Sequence, residues 1–155
     1  MNKVQLALKD QIVDTVKNIK KHNIGEILNW ILRNQIAKYS LANDFYYSTQ
    51  FTLDQVKSMK LDITKRSIKI KKNKITYEHP VPSKVVFNLI MAAKNESEIL
   101  NILEETDCIV ILSHSEDQKL RDKGLISSMP KGWSYGDNIF ARYEKANIEV
   151  LPKKI

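Results

Sequence analysis

Residues 57–82 read KSMKLDITKRSIKIKKNKITYEHPVP, and this stretch holds the densest charge in the chain. Eight basic side chains and a single acid, Asp62, fall within residues 57–74, so these 18 residues carry a net charge of +7. The whole protein of 155 residues has the same formal net charge of +7. All other residues therefore balance to zero, and the net charge of the protein is the charge of this segment.

The same stretch has the clearest strand pattern in the sequence. Apolar residues alternate with polar ones on both sides of Lys72-Asn73, at Ile68, Ile70, Ile75 and Tyr77. Alternation with a period of two is typical of a strand, and the break between the two halves indicates a turn. We therefore predict a central β-hairpin with one apolar face and one lysine face.

The lysine face of this hairpin has two interpretations. Like charges on neighbouring strands repel, so such a face is best tolerated where it is solvated or meets an anion. Lysines on an edge hairpin also prevent strand-to-strand aggregation without binding anything. On the first interpretation the hairpin contacts nucleic-acid phosphates through Lys65, Arg66, Lys69, Lys71, Lys72 and Lys74.

Length and composition indicate the domain organisation. A chain of 155 residues that is 43% hydrophobic has the size of a single compact domain, 1–155, with one core or two small lobes. The lobes would be a basic helical lobe with the hairpin, 1–77, and a near-neutral α/β lobe, 78–155. The first holds 15 Lys and Arg against 6 Asp and Glu, whereas the second holds 10 against 12. Such asymmetry fits a module that presents one face to a polyanion.

The sequence also indicates the cellular compartment. No apolar run approaches the ~20 residues needed to span a bilayer, and the N-terminus lacks a secretory apolar core. The lone Cys108 lies in an apolar run and can form neither an internal disulfide nor a cysteine-based zinc cluster. We expect a cytoplasmic protein without a membrane partner.

Three helices are predicted before the hairpin. Apolar residues at three- and four-residue steps predict helices over residues 4–19 and 24–39, packed as an αα-hairpin. Thr52-Leu53-Asp54-Gln55 matches a capping box and predicts a third helix over residues 53–60. Three helices followed by a hairpin resemble the element order of a winged helix over residues 4–77, with the hairpin as the wing.

The C-terminal half is predicted to form helices around a small sheet. The apolar run 108–112 is typical of a central strand buried on both faces, and a final strand is predicted over residues 148–151. The expected helix boundary residues are Ser83, Asn95 and Asp137 at N-termini and Gly124 and Asn147 at C-termini. The fold class is therefore α+β, with a helical N-terminal portion and a central basic hairpin.

Two groups in the C-terminal half are candidate ligand contacts. His114 and Glu116 follow the buried strand, where functional groups are often displayed, and they are candidate metal ligands. A Ser-capped helix with acids in its first turn explains the same residues structurally. Lys131, Trp133 and Arg142 lie in or after a loop rich in glycine and aromatics. They are candidate contacts to phosphates and bases, with core packing of the aromatic side chains as the alternative.

One short motif indicates a catalytic function. Glu78-His79-x-x-Pro82 at the exit of the hairpin resembles the opening of the HNH (ββα-metal) nuclease motif. This resemblance implies that His79 is the general base, that Glu78 is a neighbouring acid and that a divalent metal is bound. The sequence departs from that family because Ser83 opens a helix at once, so the second histidine would have to be the distant His114.

These observations leave three functions open. The absence of a Walker-type loop, a dinucleotide-binding glycine pattern and a nucleophile elbow excludes the common enzymes that carry them. We expect a nucleic-acid-binding protein that requires no cofactor, with DNA favoured over RNA. The alternatives are a metal-dependent endonuclease, and a phage or mobile-element inhibitor that binds a nucleic-acid enzyme as a protein partner.

Overall fold

The computed structural model describes residues 2–23, 26–43, 45–63 and 75–154. Within these ranges the chain forms seven helices and four strands. The helices are α1 (Lys3–His22), α2 (Glu26–Leu41), α3 (Gln50–Ser58), α4 (Ser83–Ala92), α5 (Glu96–Glu105), α6 (His114–Asp122) and α7 (Ala141–Lys145). The strands are β1 (Phe45–Ser48), β2 (Ile75–Glu78), β3 (Ile109–Ser113) and β4 (Leu151–Lys154). The α+β fold class is confirmed.

The four strands form one mixed sheet in the order β2-β3-β1-β4. β3 pairs in parallel with β1 and antiparallel with β2, where Ile75 lies opposite Ser113 and Glu78 opposite Val110. β4 pairs antiparallel with the other side of β1. Every residue of β3 is buried, which confirms the prediction of a central strand covered on both faces.

Alternate residues of the strands point into two different cores. On one face, Ile75, Ile109 and Ile111 pack against Val56 of α3, and we call this the α3 face. On the other, Val110 and Leu112 pack against side chains of α6 and α7, and we call this the α6 face. Because β3 contributes to both cores, its apolar residues are continuous in sequence.

A third core joins the helices α1, α2, α4 and α5. Its buried residues include Ile12, Leu32, Ile36, Ile90 and Leu103. Two ion pairs at the surface, Lys9 with Glu104 at 3.1 Å and Lys17 with Glu96 at 2.8 Å, also link α1 to α5. Both this core and the sheet draw residues from either side of position 77, so the two predicted lobes share their interior.

Helix ends test the capping predictions directly. The N-cap of α3 is Thr49, whose hydroxyl accepts from the backbone N–H of Thr52. The prediction of Thr52 as the cap is therefore wrong, because its hydroxyl donates to Glu116 instead. Ser83 is the first residue of α4 rather than its cap, and the N-cap position is Pro82.

Some of the other predicted ends of helices and strands are confirmed, and others are shifted. Asn95 caps α5, and Gly124 and Asn147 adopt positive φ angles of 69° and 54°, all as predicted. Asp137 accepts from the N–H of Ser134 rather than capping α7, which begins at residue 141. The last strand lies at 151–154, three residues beyond its predicted position, because it pairs with β1 there.

The predicted hairpin is described only in part. Its second arm is the strand β2, whereas its first arm and turn lie outside the described residues. A strand, β1, stands between α2 and α3 and belongs to the central sheet. The element order therefore differs from the three consecutive helices of a winged helix.

Candidate functional site

The parallel strands β1 and β3 end at the same edge of the sheet. β1 is followed at once by α3 on the α3 face, and β3 by α6 on the α6 face. Adjacent parallel strands whose helices diverge to opposite faces form a topological switch point, where ligands of open α/β sheets commonly bind. We call the region around Ser48, Ser113 and Ile75 the carboxyl edge.

The basic segment, residues 57–74, is followed in the chain by a residue of this edge. That residue is Ile75, which pairs with Ser113 at the carboxyl edge. On the other side, the carbonyl of Ile63 accepts from the hydroxyl of Tyr77 at 2.8 Å. Lys57 and Lys60, which precede Ile63, are exposed. The candidate phosphate contacts Lys65, Arg66, Lys69, Lys71, Lys72 and Lys74 lie outside the described residues.

A buried carboxylate, Glu116, lies at the carboxyl edge. Glu116 accepts from the backbone N–H of Ser113 at 3.0 Å and from its hydroxyl at 2.8 Å, which completes a capping box for α6. It also accepts from the hydroxyl of Thr52 in α3. Burial raises the pKa of Glu116, but hydrogen bonds from Thr49, Thr52 and Ser113 outweigh it and hold the pKa below its usual value. The side chain thus joins the two helix N-termini.

The two predicted metal ligands, His114 and Glu116, have different environments. His114 is exposed at the start of α6, whereas Glu116 is committed to the hydrogen bonds above. Among the described residues there is no group of three or more His, Cys, Asp or Glu side chains placed to hold a metal ion.

A second cluster of polar groups surrounds the buried side chain of Arg142 in α7. The guanidinium is 0% exposed and donates to the carboxylate of Glu78 at 2.8 Å and to the carbonyl of Leu125 at 2.8 Å. It also donates to the carbonyls of Ile126 and His79. Arg142, assigned from the sequence to a nucleic-acid contact, is instead enclosed in the interior and offers no N–H to a phosphate.

The structure brings Arg142 together with the two candidate catalytic residues. Burial raises the pKa of Glu78, and the charge and hydrogen bond of Arg142 offset this effect only in part. Burial lowers the pKa of His79, and a backbone hydrogen bond to Ala37 opposes the shift. The Nε2 atom of His79 has no hydrogen-bond partner within the described part of the chain.

Glu78 and His79 line an open cavity of about 190 Å³ at the N-terminus of α4. Its other lining residues are Pro82, Ser83, Lys84, Ile126 and Ser127. A neutral imidazole can accept a proton, but the unpartnered Nε2 atom of His79 is itself buried.

The sheet register separates His79 from His114. His79 follows Glu78, which pairs with Val110, whereas His114 follows Ser113 at the other end of β3. Five residue steps along a strand span about 16 Å at ~3.3 Å each. The proposed base and the proposed metal ligand therefore lie at opposite ends of the sheet.

The loop between α6 and α7 holds the remaining candidates. The indole N–H of Trp133 donates to the carbonyl of Asn138 at 3.1 Å, and the ring packs against the helical core while remaining partly exposed. Lys131 in the same loop is exposed.

Comparisons were made with protein-family models, with curated proteins and with solved structures, and none of them matches this chain. Within the described residues, no helix combines the length and the apolar character needed to cross a membrane.

One exposed residue at the carboxyl edge was missed by the sequence analysis. Phe51, the second residue of α3, is 59% exposed. The misplaced cap at Thr52 left it outside the predicted helix. The Thr49-x-x-Thr52 spacing was the signal that could have located it, because an N-cap at Thr49 puts Phe51 in the first turn.

Proposed function

We propose that the protein binds nucleic acid, and that the basic segment 57–74 contacts the phosphates beside the carboxyl edge. The observation that supports this proposal is that Ile75, the residue that follows this +7 segment in the sequence, pairs with Ser113 at the carboxyl edge. A polyanion binds with the most favourable electrostatic free energy where positive charge is concentrated and solvent-accessible.

The occupied helix N-termini at the carboxyl edge favour lysine side chains as the phosphate contacts. Helix N-termini often bind phosphate through their free N–H groups. Here the N-terminus of α6 is occupied by the carboxylate of Glu116, and that of α3 is capped by Thr49. The negative charge of Glu116 also repels a second anion at this point. Binding through lysines alone is strongly salt-dependent.

A charge-reversal pair tests the proposal. The variant with Lys69, Lys71, Lys72 and Lys74 changed to Glu should lose binding to labelled oligonucleotides in fluorescence anisotropy. A control with exposed Lys94, Lys119, Lys123 and Lys145 changed to Glu has the same net charge, so it should retain most of its affinity. For the wild type, log affinity should fall by about 0.7 to 0.9 per log unit of salt for each phosphate contacted. Equal losses in both variants would exclude the segment as a specific contact.

Phosphodiester hydrolysis at His79 is a second candidate, favoured by the cavity that this residue and Glu78 line. Its test is a cleavage assay with Mg²⁺ or Mn²⁺ on the wild type and on His79→Ala. Cleavage that disappears in His79→Ala while affinity persists supports hydrolysis. An oligonucleotide left intact by the wild type with both metals would exclude hydrolysis.

Association with a protein partner is a third candidate. Ile27 and Trp30 lie one turn apart on α2 and are 78% and 65% exposed. Exposed tryptophan with adjacent aliphatic surface is typical of protein-binding hot spots. Co-purification with and without nuclease treatment tests this candidate, since a partner that survives nuclease treatment is bound directly.

A further inference from the structure

We infer that a groove between α4 and α5 binds a small organic cation with an apolar body, of the arylalkylamine class. The groove is a cavity of about 330 Å³, and its lining residues are Leu89, Ala92, Glu98, Asn101, Ile102 and Tyr135. Small-molecule sites typically have volumes of about 300–1,000 Å³, mostly apolar walls and a few polar groups that orient the ligand. The inference is independent of nucleic-acid binding, because these residues belong neither to the basic segment nor to the carboxyl edge.

The walls of the groove are mainly apolar. Leu89 and Ala92 come from the C-terminal half of α4, and Ile102 comes from α5. Ile102 is buried and forms the floor, whereas Ala92 is exposed at the rim. An aliphatic or aromatic ligand body would remove this apolar surface from water, which contributes favourably to the free energy of binding.

The charged group of the groove is the carboxylate of Glu98 in the first turn of α5. It accepts from the backbone N–H of Lys94 at 2.8 Å and from the side-chain amide of Asn95 at 3.1 Å, so its position is fixed. Lys94 lines a different cavity, on the side of α1, together with Lys17. The lining of the groove therefore includes a negative charge and no basic residue, which favours a cationic ligand over an anionic one.

A tight turn in the loop between α6 and α7 presents Tyr135 to the groove. The backbone N–H of Asp137 donates to the carbonyl of Ser134 at 3.0 Å, and the carboxylate of Asp137 accepts from the N–H of Ser134 at 2.7 Å. Gly136 has the φ angle of 99° that the third position of such a turn requires. The aromatic side chain is thus held in place before a ligand binds, while remaining 40% exposed.

Tyr135 and Glu98 lie along the same face of α5. The hydroxyl of Tyr135 donates to Glu105, which follows Glu98 by seven residues, and this spacing returns to the same side of a helix after about 10 Å. Glu105 adds a second negative charge near this end of the groove. Aromatic rings also attract cations, so the carboxylates and the ring favour the same class of ligand.

The experiment uses three probes that share a phenyl ring and differ in the charge of the head group. Phenethylamine is positive at neutral pH, phenethyl alcohol is uncharged and hydrocinnamate is negative. Dissociation constants are measured by NMR titration, from the shifts of the backbone amide signals of the lining residues. The titrations are made on the wild type and on three variants, namely Glu98→Gln, Ala92→Phe and Glu96→Gln.

The variants separate the charge of the groove from its volume. Glu98→Gln removes the charge and keeps an oxygen that can cap α5. Ala92→Phe fills the groove from an exposed position, so it does not disturb the core. Glu96→Gln is the matched control, because it removes an equal charge from the same helical turn. Glu96 lines the other cavity and pairs with Lys17 at 2.8 Å.

We expect phenethylamine to shift the groove signals of the wild type and to bind about 2-fold to 5-fold more tightly than the alcohol, as for a partly exposed ion pair. Hydrocinnamate should bind more weakly than the alcohol, since like charges repel. Glu98→Gln should lose the preference for the amine while binding the alcohol as before. Ala92→Phe should weaken binding of all three probes, and Glu96→Gln should match the wild type.

Four results would overturn the inference. They are a wild type whose groove signals do not shift at millimolar phenethylamine, equal affinities of the wild type for the three probes, a preference for the amine that survives in Glu98→Gln, and an equal loss of this preference in Glu96→Gln. None of them bears on nucleic-acid binding, which the charge-reversal variants test separately.

Discussion

Removal of the Arg142 side chain should destabilise the protein strongly, because the guanidinium is the shared partner of several buried groups. In Arg142→Met, Glu78 remains as an unpaired carboxylate with 16% of its side chain exposed. The carbonyls of Leu125, Ile126 and His79 also lose a donor. Breaking a buried ion pair costs about 3–5 kcal/mol. With a urea m-value of about 2 kcal/mol/M, the unfolding midpoint should fall by about 1.5–2.5 M.

A second substitution separates the ion pair from simple packing. Changing Glu78→Met in the Arg142→Met background removes the unpaired charge, so the double variant should be more stable than the single one. Urea unfolding followed by circular dichroism measures both. A loss below about 1 kcal/mol in Arg142→Met, or a double variant less stable than the single, would refute the buried-pair argument. Folded Arg142→Met should also keep wild-type affinity for nucleic acid, since Arg142 is 0% exposed.

Two further predictions concern pH and use the same unfolding measurement. Burial raises the pKa of Asp107 to about 6 against hydrogen bonds from Gln5 and Asn43. Between pH 4 and 6 the unfolded chain has lost this proton and the folded chain keeps it, so stability should fall by about 1–2 kcal/mol as pH rises, allowing for partial solvent exposure. Asp107→Asn should abolish this fall, and an unchanged slope would contradict the assignment. Glu116, with a lowered pKa, should contribute stability above pH 4.5 that is lost as pH falls further. Glu116→Gln should cost about 1–2 kcal/mol at pH 7 and flatten the acid limb, because neutral hydrogen bonds replace charge-assisted ones.

Local sequence patterns were sufficient for features that depend on neighbouring residues. The strand β3 follows from five consecutive apolar positions, and the cap of α5 follows from Asn95 three residues before Glu98. Gly124 and Asn147 were identified because few residue types adopt a positive φ angle. Each of these features is decided within a few residues of the chain.

Features that depend on distant residues could not be predicted. Thr52 looked like a helix cap, but its hydroxyl is taken by Glu116, 64 residues away. Arg142 looked like a surface cation beside a loop, but its carboxylate partner Glu78 is also 64 residues away. A single sequence gives no signal for either pairing, so polar residues that serve the interior were interpreted as ligand contacts.

The pairing of β1 has a consequence for how the chain folds. Tyr46 of β1 lies opposite Ile109 of β3 on one side and Lys153 of β4 on the other. As the polypeptide emerges during synthesis, α1 and α2 can pack on each other at once, whereas β1 has no sheet partner until residues 109–113 have been made. Contacts between such distant residues close slowly, so the sheet should form after the helical pair and set the folding rate. Until β1 pairs with β3, its unpaired backbone groups are therefore most exposed to pairing with another chain.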